Sequence, residues 1–399
     1  TFTARDNNNR TLSQSSATTN LIVVGKGGND TISTGSGDDV IDGGAGNDTI
    51  NSGDGDDMIL PGAGADAVNA GAGDDIIVLI GTTTASQYNN AAITSPAGVG
   101  TDLSALLSLA DINGHSVSDV VSGESLDGGA GDDTLVIYGN VDISGISISN
   151  LSTVWVNSTL TLTAAQLNSM SVVIGDGSSV LNIVGNSAVG TYEQVDLSAL
   201  DLTGISSITS AGNVEILVSS ASQLAGIVEI QTTGSLIVTI SGSATMNASD
   251  FVGTLTGSVQ IEIAAGTTLL IDTIEALQAL GNIRLGGDGT IVVSDAVAAI
   301  VGSLSTVQID EDVTMTDSAG TILDITTLGG ILVPDIDPGD GILPEISLGP
   351  DSIVHEVDGS VSVTVSLNAA YFDTVTVNLS AFGYGDGYFG AIEFAPGEI

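Results

Sequence analysis

Residues 25–78 divide into six consecutive blocks of nine: GKGGNDTIS, TGSGDDVID, GGAGNDTIN, SGDGDDMIL, PGAGADAVN and AGAGDDIIV. The fourth position of every block is Gly (Gly28, Gly37, Gly46, Gly55, Gly64, Gly73) and the sixth is Asp (Asp30, Asp39, Asp48, Asp57, Asp66, Asp75). The eighth is always β-branched and apolar (Ile32, Ile41, Ile50, Ile59, Val68, Ile77). A fixed period of this kind signals units that bury their apolar faces by stacking. Gly permits the positive φ of a tight turn in which backbone carbonyls converge. Asp supplies a hard oxygen ligand. The β-branched stretch forms a strand whose Ile or Val points inward. A second strand returns along the other side, so one coil takes two blocks and alternate blocks stack on one edge, about 4.8 Å apart. Asp30, Asp48 and Asp66 then share one edge, and Asp39, Asp57 and Asp75 the other. A flexible Gly/Asp linker has no reason to place Ile or Val at every ninth residue.

Carboxylates stacked at strand spacing repel unless positive charge sits between them. A Ca²⁺ between consecutive turns takes one Asp from each and fills its shell of 6–8 oxygens with carbonyls of the Gly turns. The pattern resembles the GGxGxDxUx repeat of the RTX (repeats-in-toxin) family, and GGAGNDTIN (43–51) matches it at every defined position. The resemblance implies a parallel β-roll that binds calcium through its turns. Departures fall on the first two block positions, as at Lys26, Thr34, Ser52 and Pro61, and leave the ligand Asp intact. Residues 128–136, GGAGDDTLV, repeat the pattern with Asp133 in the ligand slot and Leu135 in the core slot. The block before it, DVVSGESLD (119–127), places Glu124 where Asp is expected and Leu126 inward. The roll is therefore expected over 25–136, behind an N-terminal lead-in or cap (1–24). Residues 79–118 read as an insertion, with a short helix near Asp102–Ala110 and His115 as a solvated loop residue.

Beyond 136 the acids thin out and Val, Ile, Leu and Thr dominate. VDISGISISNLSTVWV (141–156) is answered by VDLSALDLTGISSITS (195–210), and LTAAQLNSMSVVIGDGSSVLNIVG (162–185) by SASQLAGIVEIQTTGSLIVTISG (220–242). A spacing of roughly 55 residues, with a brief Ala/Gln/Leu helical turn in each copy, predicts a β-solenoid over 137–333. Trp155 and Leu160 read as core. PDIDPGDGILP (334–344) is a linker. The alternation in 345–399 predicts half-buried antiparallel strands. HEVDGSVSVTVSL and IEFAPGE there resemble the Calx-beta sandwich, in which an acidic loop can bind calcium; the resemblance implies Glu356 and Asp358 as calcium ligands, and His355 beside them reads as strand surface. The family continues with further strands, so the chain reads as truncated at this point. The expected fold class is all-β: a parallel β-roll, a β-solenoid-like repeat region and a partial antiparallel sandwich.

With 48 acidic residues against four basic ones (Arg5, Arg10, Lys26, Arg284) the formal charge is −44. Four scattered cations cannot assemble a patch for nucleic acid or anionic membrane. Hydrophobic residues at 42% separate the chain from a disordered acidic tail. The absence of Cys removes disulfides and thiolate metal sites, which leaves a cation as the available staple. No apolar run approaches the ~18 residues of a membrane helix, and the start lacks the features of a signal peptide, so either the start is missing or export uses another route. Two His, no HExxH and no GxSxG leave no recognisable catalytic constellation, and no enzyme is expected. The resemblance to RTX proteins implies type I secretion and an extracellular place on a bacterial surface, as part of a surface layer, sheath or giant adhesin. Its partners would be calcium and either like subunits in a lattice or filament, or surface polysaccharide. Two alternatives stand beside this: a carbohydrate-binding adhesin module, and the export tail of a hydrolase whose catalytic domain lies elsewhere. Ice binding is disfavoured, because the third block positions (Gly27, Ser36, Ala45, Asp54, Ala63, Ala72) form no Thr/Asn ladder.

Overall fold

The computed structural model describes residues 7–82 and 119–294, apart from ten scattered positions between 189 and 282, and short strands on either side of these stretches. The fold is all-β, with mostly parallel strands coiled as a β-solenoid. Two compact units are present: Thr1–Val184 with Val195–Thr209 and Gly226–Glu229, and Gly185–Gln194 with Ser210–Ala225 and Ile230–Ile399.

The first unit contains the nonapeptides. One six-stranded parallel sheet runs in the order Ser147–Ser149, Ser125–Ala130, Ala67–Ala72, Thr49–Asp54, Thr31–Ser33, Thr11–Ser13. An eight-stranded parallel sheet is ordered Phe2–Thr3, Ile22–Val24, Val40–Asp42, Met58–Leu60, Ile76–Ile80, Thr134–Tyr138, Thr153–Asn157, Val172–Gly175. Ile32 lies beside Ile50 and Ile50 beside Val68 on the first sheet, and Ile41 beside Ile59 and Ile59 beside Ile77 on the second. Each step is two nonapeptide blocks. After the insertion the register is kept, with Val68 beside Leu126 and Ile77 beside Leu135. All eight of these side chains are buried, and each contributes roughly 1.5–3 kcal/mol by leaving water. On the six-stranded sheet the alternate residues Thr31, Thr49, Asn51 and Asn69 are exposed. On the eight-stranded sheet Ile76–Ile80 and Thr134–Tyr138 are buried at every position. Their second face joins Met58, Leu60, Val78, Val136, Tyr138 and Trp155 in one apolar cluster. The Trp155 ring meets Tyr138 edge-on at 5.6 Å, so Trp155, like the fully buried Leu160, is a core residue.

Three expected boundaries shift. Leu12 lies beside Ile32 and Val23 beside Ile41, so residues 11–24 already form a coil of the roll and are no separate lead-in. Leu79 and Ile80 belong to a strand, the Gly81 N–H donates to the Tyr138 carbonyl at 2.7 Å and Thr82 bridges Asn140, so the roll continues past Val78 as far as Thr82. Residues 83–118, with the helix expected near 102–110 and His115, lie outside the described residues. At the far end Leu135 lies beside Val154 and Val154 beside Val173, so coiling passes residue 136 unbroken. Strand pairing is a backbone property that needs only an apolar inward residue, and it outlasts the nonapeptide consensus.

The brief helical turns are present at Ala164–Asn168, closed by a Thr163–Gln166 capping box, and at Ala221–Leu224 as a 3₁₀ turn. In the second unit Val214 lies beside Leu236, Leu236 beside Val259 and Val259 beside Ile283, so each coil is somewhat longer than a coil of the roll. A second row places Thr245, Thr268, Thr290 and Thr314 side by side. The coil period is therefore less than half the spacing of the sequence similarity, which spans more than two coils. Only the inward apolar positions must recur in every coil, and these are too common in the sequence to reveal the shorter period. At the C-terminal end Ile346–Leu348 pairs antiparallel with Val365–Leu367, and Val375–Asn378 with Ala391–Phe394. The linker (334–344), His355, Glu356 and Asp358 lie outside the described residues. Among the described residues no helix is long and apolar enough to cross a membrane.

Candidate metal centre

Each coil of the roll turns twice, and each turn ends on the sixth-position carboxylate. These side chains point along the stack and bond the neighbouring coil. The Asp30 N–H donates to Asp48 Oδ1 and the Asp48 N–H to Asp66 Oδ1, both at 2.7 Å. On the other edge the N–H groups of Asp39, Asp57 and Asp75 donate to Oδ1 of Asp57, Asp75 and Asp133 at 2.7, 2.8 and 2.9 Å. The ladder continues into the first coil, where the Arg10 N–H donates to Asp30 Oδ1 and the Leu21 N–H to Asp39 Oδ1. All seven aspartates are 1% exposed.

One oxygen of each rung is thus satisfied. The other is not: Oδ2 of Asp39, Asp48, Asp57, Asp66, Asp75 and Asp133 is buried with no hydrogen-bond partner. Glu124 stacks above Asp66, since the Ser125 N–H donates to the Asp66 carbonyl. It is 2% exposed, and both its carboxylate oxygens are buried without a partner. A buried ionised oxygen left unmade is costly, and these stand in two rows. Burial first, and neighbouring carboxylates further, push Asp57 up to about 8, Asp48 and Asp75 to about 7 and Asp66 to about 6. Glu124 is pushed up to about 8 by burial and by Asp66 and Asp119. Asp133 moves the same way. The rows therefore demand a positive partner, either protons or a divalent cation.

The donor set fits a hard cation. Among the described residues no three carboxylate, His or Cys side chains converge closely enough to hold an ion by themselves. An ion between two rungs would take the orphaned oxygens of two carboxylates and the rest of its shell from turn carbonyls. The glycines keep that backbone close. A Cβ on Gly64, whose φ is +144°, would lie 2.0 Å from the Gly46 carbonyl oxygen, and one on Gly46 would lie 2.3 Å from that of Gly28. Gly73 stacks on the Gly55 carbonyl in the same way. Gly37 is not in the positive-φ region, and its requirement comes from close approach: a Cβ there would lie 2.6 Å from the Thr19 carbonyl carbon. Gly64→Ala is expected to destabilise the roll by roughly 1–3 kcal/mol or more through backbone strain. Denaturant unfolding at fixed calcium measures it, and unchanged stability contradicts the stacking argument.

The sequence reading missed a second ladder, formed by the fifth block positions and running in the opposite sense. The Asp56, Asp74 and Asp132 N–H groups donate to Oδ1 of Asp38, Asp56 and Asp74 at 3.2, 2.9 and 2.9 Å. On the other edge the same place is neutral: the Asn29, Asn47 and Ala65 N–H groups donate to Oδ1 of Asn9, Asn29 and Asn47. The available signal was the alternation of Asp-Asp with Asn-Asp or Ala-Asp in successive blocks.

Residues 24–59, 62–78 and 122–136 match the family model of the RTX calcium-binding nonapeptide repeat, in four copies. Neither a curated protein nor a solved structure matches the chain.

Proposed function

We propose, from the four matches to the RTX calcium-binding nonapeptide repeat, that this chain is an RTX protein and a non-enzymatic structural component of a bacterial cell surface, a segment of a surface layer, sheath or giant adhesin. It folds on calcium after export. The observation that carries this reading is the pair of buried carboxylate rows whose second oxygens have no partner within the protein.

Bound calcium supplies the positive charge that the rows lack. Everything else is done by the chain. At the low calcium of a cell interior the rung aspartates stay solvated, and their mutual repulsion keeps the nonapeptides extended, a form suited to secretion. Outside, where calcium reaches the ~10⁻⁴–10⁻³ M range of extracellular sites, the rungs close, Ile32 to Ile77 enter the coil interior, and folding follows ligation. The parallel coils that continue past residue 136 support a spacer role: they stack strands without a catalytic constellation in the sequence. A formal charge of −44 gives neighbouring subunits acidic faces that calcium can bridge.

Electron microscopy of the native cell surface, with antibody against this chain, tests the proposal. Labelled, ordered surface material that is lost on chelation and regained with calcium is the expected result. Label confined to the cytoplasm, or to a freely diffusing secreted product, overturns it.

A further inference from the structure

The two edges of the roll carry the same sixth-position rungs but different fifth-position neighbours. We propose that they are unequal cation rows: the edge bearing Asp38, Asp56, Asp74 and Asp132 takes divalent cations more tightly than the edge bearing Asn29, Asn47 and Ala65, and fills first. This deepens the calcium reading above and rests on it.

The fifth-position carboxylates are exposed, so they are no site by themselves. Each stands directly beside a rung, Asp39, Asp57, Asp75 or Asp133, that is 1% exposed and has an unpartnered Oδ2. Three of them are also held in place, because the Asp56, Asp74 and Asp132 N–H groups donate to Oδ1 of Asp38, Asp56 and Asp74. Every gap between rungs on this edge is thus flanked by two extra negative charges, at least one of them fixed. The opposite edge keeps the same hydrogen-bond scaffold with Asn29 and Asn47, which accept through an amide oxygen and add no charge. That edge also carries the cations. Lys26 lies exposed in the turn that leads to Asp30, and the Arg10 backbone bonds Asp30 itself. Affinity at oxygen sites is tuned by the number of ligand charges. Two flanking carboxylates acting through largely aqueous, salt-screened surroundings are expected to tighten binding by about tenfold.

Calcium titration of the full chain by isothermal calorimetry, from a calcium-free start, tests this. Two classes of site separated by about tenfold are expected. The variant Asp38→Asn/Asp56→Asn/Asp74→Asn/Asp132→Asn keeps an Oδ1 acceptor for every backbone N–H of the ladder, and should merge the classes at the weaker affinity with the number of bound ions unchanged. The reciprocal variant Asn29→Asp/Asn47→Asp/Ala65→Asp should move the weak class towards the tight one. It also guards against a quadruple variant that fails to fold. A single class in the unaltered protein at full occupancy, or two classes that survive the Asn variant, overturns the inequality and leaves the calcium reading intact. No calcium uptake at all overturns both.

Discussion

Moving the protein from millimolar calcium into excess chelator at pH 8 is expected to abolish most of the β-sheet circular dichroism of the roll, and returning calcium to restore it. Six pairs of adjacent rungs are stacked along the two edges: Asp30/Asp48, Asp48/Asp66, Asp66/Glu124, Asp39/Asp57, Asp57/Asp75 and Asp75/Asp133. Each site filled at tenfold above its dissociation constant, as millimolar calcium fills a site of ~10⁻⁴ M, adds about 1.4 kcal/mol to the folded state. Six such sites together reach about 8 kcal/mol, within the roughly 5–15 kcal/mol by which an ordinary domain is stable. Removing the ion does more than withdraw this contribution. It leaves Asp48, Asp66 and Asp75, whose carboxyls are held at about 7, 6 and 7 by burial, to ionise in place at pH 8. The apolar interior of Ile32, Ile41, Ile50, Ile59, Val68 and Ile77 cannot offset that in so thin a coil. A spectrum indifferent to chelator sinks the calcium reading of the roll.

Acid should substitute for calcium. In calcium-free protein prepared over chelating resin, lowering the pH from 8 to about 5.5 is expected to bring back β signal. The direction follows from the raised carboxyls. Burial holds Asp57 and Glu124 at about 8, Asp48 and Asp75 at about 7 and Asp66 at about 6, against ordinary values of 3.8 for Asp and 4.5 for Glu. A carboxyl raised on folding contributes stability at low pH and loses it as pH rises through the folded value. The window of loss therefore runs from the ordinary values of 3.8 and 4.5 up to the folded values of about 6 to 8, and pH 5.5 recovers part of it. Protons and calcium claim the same oxygens, so calcium affinity must fall across that window as pH is lowered, with protons released on binding. Circular dichroism against pH without calcium, and calorimetry in two buffers of different ionisation enthalpy with it, measure the two halves. A calcium-free protein that stays unfolded at pH 5.5 contradicts the first half. Calcium uptake without proton release at pH 7 contradicts the second.

The sequence by itself determined the repeating part of this molecule. A nonapeptide period with Gly, Asp and a β-branched residue at set positions has one economical solution, a coil of two blocks with one strand from each. The observed register, Ile32 to Ile50 and Ile41 to Ile59, is the one that solution requires. The rung aspartates were legible for the same reason, since a ligand that recurs with the coil must stand in a row. Tertiary structure decided what is not strictly periodic. It drew residues 11–24 into the roll, carried strand pairing past 136, and made the later coils far shorter than the spacing of the sequence similarity. It also showed which rung oxygen is satisfied and which is orphaned, and that the fifth-position carboxylates, whose alternation stands in the sequence, are bonded from coil to coil. The physical reason is common to all of these. Backbone pairing and the proximity of charges between coils depend on which residues come to lie side by side from one coil to the next, and only the folded stack specifies that once the repeat loosens.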